Sequence, residues 1–273
     1  MKLIATDLDG TLLHSDGNIS PFTLNTLRQA SDKGANVVIA TGRMFAGTSQ
    51  ILRYMPFCRY CITTNGAEIY DRTTDKLIYS RPIEQETALF VANYAKKNNI
   101  HMHAYAENVL YTTMLDEKSV LYKKATGLMG TLLEEDFCDF YSKHSIAKLV
   151  LIDSRENCDK FFLGLKNTLG KSASIVQSNA NFVEITSNLA TKGQALNFLI
   201  DFLGVLPKQT IAFGDSGNDI PMLSGPWNSR AVANAWTEVK QIADKIIESN
   251  NDDGVAKEIN RIFSLKGDKQ CNF

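Results

Sequence analysis

Asp7-Leu8-Asp9-Gly10-Thr11 is reached from the apolar run Leu3-Ile4-Ala5 through Thr6 alone, so two carboxylates and a hydroxyl sit on the turn leaving a buried strand. Open α/β sheets keep their chemistry at such strand ends, which makes an α/β core the natural frame for this segment. Successive side chains of an extended segment alternate, so Asp7 and Asp9 project to one side while Leu8 faces the other. Like charges that close raise each other's pKa or require a cation, and a hard, oxygen-seeking ion such as Mg²⁺ meets that need. Taken alone, the string also fits an aspartate-rich loop that caps the next element.

Three more segments weigh against that plainer reading. Thr41-Gly42-Arg43 follows a second apolar run, Val37-Val38-Ile39-Ala40. A hydroxyl, an unshielded backbone amide and a cation past a strand suit phosphate oxygens. Lys192-Gly193 opens an amphipathic helix, where a lysine reaches an anion with help from the positive helix end. Gly214-Asp215-Ser216-Gly217-Asn218-Asp219 leaves the strand-like Thr210-Ile211-Ala212-Phe213 and adds two carboxylates and an amide at another strand end.

In this order, Asp-x-Asp-x-Thr, a Thr-Gly turn, a distant lysine and Gly-Asp-x-x-Asn-Asp resemble the four-part signature of the haloacid dehalogenase superfamily of phosphatases. Further stretches resemble its Cof-type branch: Thr64-Asn65-Gly66-Ala67, Glu184-Ile185 ahead of Lys192-Gly193-Gln194-Ala195-Leu196, Ala233-Asn234-Ala235, and Asn250 ahead of Asp253-Gly254-Val255. Together they span almost the whole chain. Ala231-Val232-Ala233 stands where the branch has Ala-Met before the Asn-Ala pair, at a strand expected to support the site rather than act in it.

The 273 residues suffice for two domains, and 44% hydrophobic content supports a real core. A formal net charge of −1 without a block of basic residues argues against nucleic acid or anionic membrane as partners. No apolar stretch approaches the roughly 20 residues needed to span a bilayer, and Asp7 and Asp9 interrupt any signal-peptide core. A cytoplasmic location is expected. Cys58-Arg59-Tyr60-Cys61 has the spacing of half a zinc site, but no second Cys or His pair accompanies it, so free thiols are expected.

Short apolar runs alternate with helical stretches up to about residue 80, as in βαβ units with a parallel sheet. Ser20-Pro21 reads as an N-cap and first helical turn, with Gly34 closing that helix. After Arg81-Pro82 the character changes. Helices such as 84–98 and strands such as 109–113 and 148–153 follow without any of the core motifs. The expected architecture is a Rossmann-like parallel-sheet core from residues 1–81 and 187–273. An inserted α/β domain over 82–186 resembles the large cap of the Cof branch, which the resemblance places over the site. The polar tail 266–273 is expected to fray.

Phosphate monoesters hydrolyse extremely slowly in water, and a covalent intermediate divides the barrier. Asp7 is assigned as nucleophile, the role of the first carboxylate in the resembling motif. Asp9 is assigned as general acid to the leaving alkoxide, then as general base to the water that opens the aspartyl phosphate. Asp7, Asp215 and Asp219 would surround a phosphate dianion with negative charge, which requires Mg²⁺. Its expected ligands are Asp7, Asp215 and the backbone carbonyl of Asp9, with Asp219 behind them orienting ligands or Lys192. The Leu8 amide, Thr41, the Gly42 amide, Lys192 and Asn218 are expected on the phosphoryl oxygens. Arg43 is divided between substrate and a salt bridge on the core, Asn65 is assigned to its own turn, and Glu184 to the return from insertion to core. His101 and His103 read as one strand face meeting substrate or solvent.

The expected function is a Mg²⁺-dependent phosphatase acting on small phosphorylated metabolites. A sugar phosphate is the first candidate; pyridoxal phosphate and flavin or nucleotide monophosphates follow. A phosphomutase would use the same Asp7 and Asp9, and a phosphate-binding regulatory protein would have little reason to keep both. The leaving group and the oligomeric state are not encoded in any motif here.

Overall fold

The computed structural model describes residues 1–265; the tail expected to fray lies outside the described residues. The chain enters through β1 (Leu3–Thr6), passes along the helix Pro21–Asp32, and lays down β2 (Asn36–Ala40), β3 (Tyr60–Thr63), β4 (Glu68–Asp71) and β5 (Lys76–Ser80). β6 (His101–Ala106), β7 (Val109–Thr112), β8 (Thr131–Leu132), β9 (Ile146–Ile152), β10 (Ala173–Asn179) and β11 (Phe182–Ser187) follow. The last stretch supplies β12 (Thr210–Gly214), β13 (Asn228–Val232) and β14 (Lys245–Ile247).

Two compact units result. One comprises residues 1–42, 50–78 and 191 onward; the other comprises 43–49 and 79–190. The segment Arg43–Ser49 was expected with the core but groups with the insertion, where the Ala46 amide donates to Asn108 Oδ1 at 2.8 Å.

The first unit is built on an eight-stranded sheet in the order β14-β13-β12-β1-β2-β3-β4-β5. From β14 to β3 every neighbouring pair is parallel, and β4 turns back antiparallel on β3. Parallel strands covered on both faces read as continuous apolar runs rather than alternating ones. Leu3, Ile4 and Ala5 in β1, and Val38, Ile39 and Ala40 in β2, are accordingly all buried. β1 pairs with β2 on one side and with β12, more than 200 residues away, on the other, so Leu3 lies opposite both Asn36 and Thr210. The strand order reverses at β1, and crevices at such reversals are where open α/β sheets hold ligands.

Capping residues set the helix ends that matter here. Ser20 Oγ accepts from the Thr23 amide at 3.0 Å, with Pro21 in the first turn. Thr191 Oγ1 accepts from the Gln194 amide at 3.1 Å and starts the helix Lys192–Leu203, which stops at Gly204.

The second unit carries a sheet in the order β10-β11-β9-β6-β7-β8. Its pairs are antiparallel except β7 with β8. One face presents Met102, Ala104, Leu149, Leu151, Val183 and Ile185 to the helices Gln85–Lys97, Phe137–Lys143 and Arg155–Leu169. The other face carries the alternate positions and is partly covered by the helix Glu117–Thr126, whose Tyr122 ring meets His103 edge-on at 4.5 Å and Phe182 at 5.1 Å.

That covering helix corrects the reading of His101 and His103. Both are fully buried, with Nε2 atoms 2.9 Å apart, and His101 Nδ1 lies 2.9 Å from Asp116 at the helix N-terminus. Neither faces solvent. Glu184 likewise lies within the unit, where it pairs with buried Lys148 at 3.2 Å. Cys58 and Cys61 are buried free thiols. Among the described residues no helix is long and apolar enough to cross a membrane.

Candidate active site

The ends of β1, β2, β3 and β12 and the start of the helix Lys192–Leu203 supply one cluster of polar groups in the first unit. Asp7 follows β1 directly, and its amide donates to Phe213 O of β12 at 3.0 Å, which ties the two central strand ends together. The turn beyond is irregular: Asp9 is extended and Gly10 has φ +81°. The glycine is required there, because a Cβ would lie 2.6 Å from Asp215 Oδ2.

Lys192 is fully buried. Its ammonium donates to Asp7 Oδ1 at 2.6 Å and to Asp219 Oδ1 at 2.7 Å, which uses two of its three N–H groups. Burial opposes its charge, but the attraction of Asp219 and Asp7 holds its pKa above the usual lysine value. Asp219 is fully buried as well, and its second oxygen accepts from the amides of Asp215 at 3.0 Å and Ser216 at 3.1 Å. Both oxygens of Asp219 are therefore committed to protein donors, whereas Asp215 is part-buried and accepts from the Thr11 hydroxyl at 2.8 Å.

The charge balance of this cluster calls for a cation. Carboxylate oxygens of Asp7, Asp215 and Asp219 lie within 4.8 Å of one another. Burial pushes the Asp7 carboxyl up, against the pull of Lys192 and with added repulsion from Asp219 and Asp215. Asp215 is raised to about 6, by burial first, with the Thr11 hydrogen bond opposing and Asp219 adding repulsion. Neighbouring carboxyls that resist ionisation while presenting oxygen donors fit a hard divalent ion, which reverses that preference.

The remaining anticipated residues gather beside this cluster. The Thr41 carbonyl accepts from the Asn65 amide at 3.1 Å. Asn218 Nδ2 donates to Asn65 Oδ1 at 2.9 Å, and that oxygen lies 2.8 Å from where a Gly42 Cβ would be. Leu8 is buried, while Asp9 and Asn218 are exposed.

The haloacid dehalogenase-like hydrolase family model matches residues 4–259. The chain belongs to the haloacid dehalogenase-like hydrolases. It is 29% identical over 259 residues to the 5-amino-6-(5-phospho-D-ribitylamino)uracil phosphatase YcsE of Bacillus subtilis, covering 95% of this chain and 94% of that one. It is 29% identical over 240 residues to an HMP-PP phosphatase of Yersinia pestis, covering 88% and 86%. The X-ray structure of TM0651 from Thermotoga maritima superposes with a TM-score of 0.87 at 29% identity, covering 98% of each chain. This hydrolase is a phosphatase.

Several residues of the hydrolase site escaped the sequence reading. Asn65, assigned only to its own turn, bridges to Asn218. Thr64, Asn65 and Gly66 all have positive φ, and a Cβ on Gly66 would lie 2.2 Å from the Thr191 carbonyl, so this turn seats the helix that delivers Lys192. The Asn65-Gly66 pair was the available signal, since both residue types favour left-handed backbone. Asn234 was placed beside a merely supporting strand, yet its Nδ2 donates to Gly10 O at 2.7 Å. His14, just after the aspartate turn, lies 3.0 Å from Asp253 Oδ1.

Proposed function

We propose that this phosphatase hydrolyses small phosphorylated metabolites through an aspartyl-phosphate intermediate on Asp7, with Mg²⁺ as cofactor. The observation that carries the reading is Lys192 clamped between Asp7 and Asp219 beside Asp215, all at strand or helix ends around the sheet's reversal point. A buried cation bound to one carboxylate oxygen holds Asp7 in a fixed rotamer, with its other oxygen to present to phosphorus.

In the first step that oxygen bonds to phosphorus, the ester P–O bond breaks, and the leaving alkoxide takes the proton of Asp9. In the second step Asp9 accepts a proton from water, whose oxygen bonds to phosphorus and releases inorganic phosphate and the Asp7 carboxylate. The third N–H of Lys192, the Thr41 hydroxyl, the Leu8 and Gly42 amides and Asn218 receive the phosphoryl oxygens. Asp7, Asp215 and the Asp9 carbonyl are the residues that would hold Mg²⁺. Bound there, it neutralises the charge that aspartates and a phosphate dianion would otherwise set against each other. Asp219 is assigned to Lys192 and the Asp215–Ser216 amides, because its oxygens are spent on them.

All these groups address the phosphoryl moiety shared by every candidate substrate. Recognition of the leaving group is therefore assigned to the inserted unit as a cap, and a sugar phosphate or a similar monoester to the site. The names of the relatives support this breadth, since they include phosphatases for a ribitylamino-uracil phosphate and for HMP-PP. Acid quenching during steady-state turnover, followed by peptide mass spectrometry, tests the intermediate. A phosphoryl adduct on Asp7 is expected; full turnover with no adduct on Asp7 at any quench time overturns it.

A further inference from the structure

Two motifs quoted in the sequence, Ala233-Asn234-Ala235 and Asn250 with Asp253-Gly254, are not used by the chemistry above. They meet the aspartate turn from behind. The Asn250 amide donates to Asn234 Oδ1 at 3.0 Å, and Asn234 Nδ2 donates to Gly10 O at 2.7 Å. The Asn250 side chain, nearly fully buried, donates to Leu13 O at 2.8 Å. Two asparagines that touch each other thus hold two carbonyls of one turn, at Gly10 and at Leu13. The same strap continues outward. The Ser15 amide donates to Asn251 Oδ1 at 2.9 Å, Asn251 Nδ2 donates to Ser15 Oγ at 2.9 Å, and Asp253 Oδ1 receives Ser20 Oγ at 2.6 Å and Thr23 Oγ1 at 2.8 Å.

We infer that Asn234 and Asn250 are positioning residues for phosphoryl transfer, which fix the peptide between Gly10 and Thr11 and through it aim Asp9 and Asp215. The inference rests on the reading of Asp7, Asp9 and Asp215 as the reacting centre. The Gly10 carbonyl belongs to the peptide that carries the Thr11 nitrogen. Rotating that peptide moves Thr11, whose hydroxyl holds Asp215 Oδ1 at 2.8 Å, next to Gly10, where a Cβ would lie only 2.6 Å from Asp215 Oδ2. Asp9 precedes it with an extended backbone, ψ 117°, and its carbonyl belongs to the adjoining Asp9–Gly10 peptide, which shares the Gly10 Cα with the held one. Gly10 has no side chain to brace its φ of +81°. The bond from Asn234 supplies that restraint from outside, and Asn250 keeps the Asn234 amide from flipping, because its N–H requires the oxygen end.

Asn234→Ala and Asn234→Asp test the relay. The aspartate can still accept from the Asn250 amide but cannot donate to Gly10 O, so the two variants should behave alike. In both, kcat should fall about tenfold or more, since small displacements of reacting groups are that costly. KM should stay within about twofold and the unfolding midpoint close to wild type, because the rest of the strap is intact. Amide hydrogen exchange across residues 8–14 should quicken in both, while exchange in the second unit is unchanged. Wild-type kcat together with wild-type exchange in both variants, when Asp7→Asn is inactive, overturns the relay and leaves the reading of Asp7 standing. Turnover by Asp7→Asn overturns the underlying reading itself.

Discussion

Replacing Lys192 by methionine keeps most of the side-chain volume and removes only the charge. Lys192 is fully buried, and it makes two charge-assisted bonds of 2.6 and 2.7 Å to carboxylates of which Asp219 is fully buried and Asp7 is 4% exposed. Breaking a buried ion pair from one side costs about 3–5 kcal/mol, because the partner charge is left without compensation. For a chain of this size that corresponds to a fall in Tm on the order of 10 °C. The cost has a definite pH dependence. Burial holds the Asp7 carboxyl above its unfolded value even against the pull of Lys192, so stability is present at low pH, where that carboxyl is protonated in both states. It is lost as pH rises through the folded pKa. The Lys192→Met deficit should therefore be large at pH 8 and shrink toward pH 5 in a thermal melt with chelator present. Activity at pH 8 should drop by about 10²–10³, the usual loss of a principal oxyanion donor. A variant that melts within about 2 °C of wild type at pH 8 and keeps its turnover would refute the argument that this lysine balances Asp7 and Asp219.

The other expectations are shorter to state. Adding Mg²⁺ should raise the melting temperature of the wild type by mass action. The gain should be greater at pH 8 than at pH 5, since Asp215, raised to about 6, loses its proton between them; Asp215→Asn should abolish most of it, and an equal gain in that variant would exclude Asp215 as a ligand. Burial first, then His101, depresses His103 to about 3, so its contribution to stability is complete above the unfolded histidine pKa and is lost as pH falls below it. Between pH 8 and pH 5 that loss amounts to about 2 kcal/mol, and a His103→Gln variant should show a flatter acid limb in the melt of the second unit; an unchanged limb would show that the pair does not titrate in folding. Gly66→Ala places a Cβ 2.2 Å from the Thr191 carbonyl at φ +98°; it should raise KM for any phosphorylated substrate and lower Tm, and wild-type values of both would show that the turn does not seat Lys192.

What could be read from the sequence divides along a physical line. Asp7, Thr41 and Asp215 stand within two residues of the end of an apolar run, and strand ends are local features, so their place at the edge of a parallel sheet follows from neighbours in the chain. Lys192 at a helix start was legible for the same reason. The partners of side-chain amides are not local. Asn65 and Asn218 are separated by 153 residues, and Asn234 and Gly10 by 224; nothing in an asparagine tells which carbonyl it will meet. The histidines of β6 show a different limit. Their alternation was plain, but a two-residue period says only that they share a face, and the helix Glu117–Thr126 decides that this face is closed. Glu184 shows the same limit, since its partner Lys148 lies on the neighbouring strand.

The most direct test is phosphate release from a broad panel of phosphorylated metabolites, by wild type and Asp7→Asn, with Mg²⁺ or with excess chelator. Release by the wild type that chelator suppresses and Asp7→Asn lacks is the expected result, and the ranking of substrates then identifies the preferred leaving group. Undiminished release by Asp7→Asn, or release indifferent to chelator, would contradict the mechanism built on Asp7, Lys192 and Asp215.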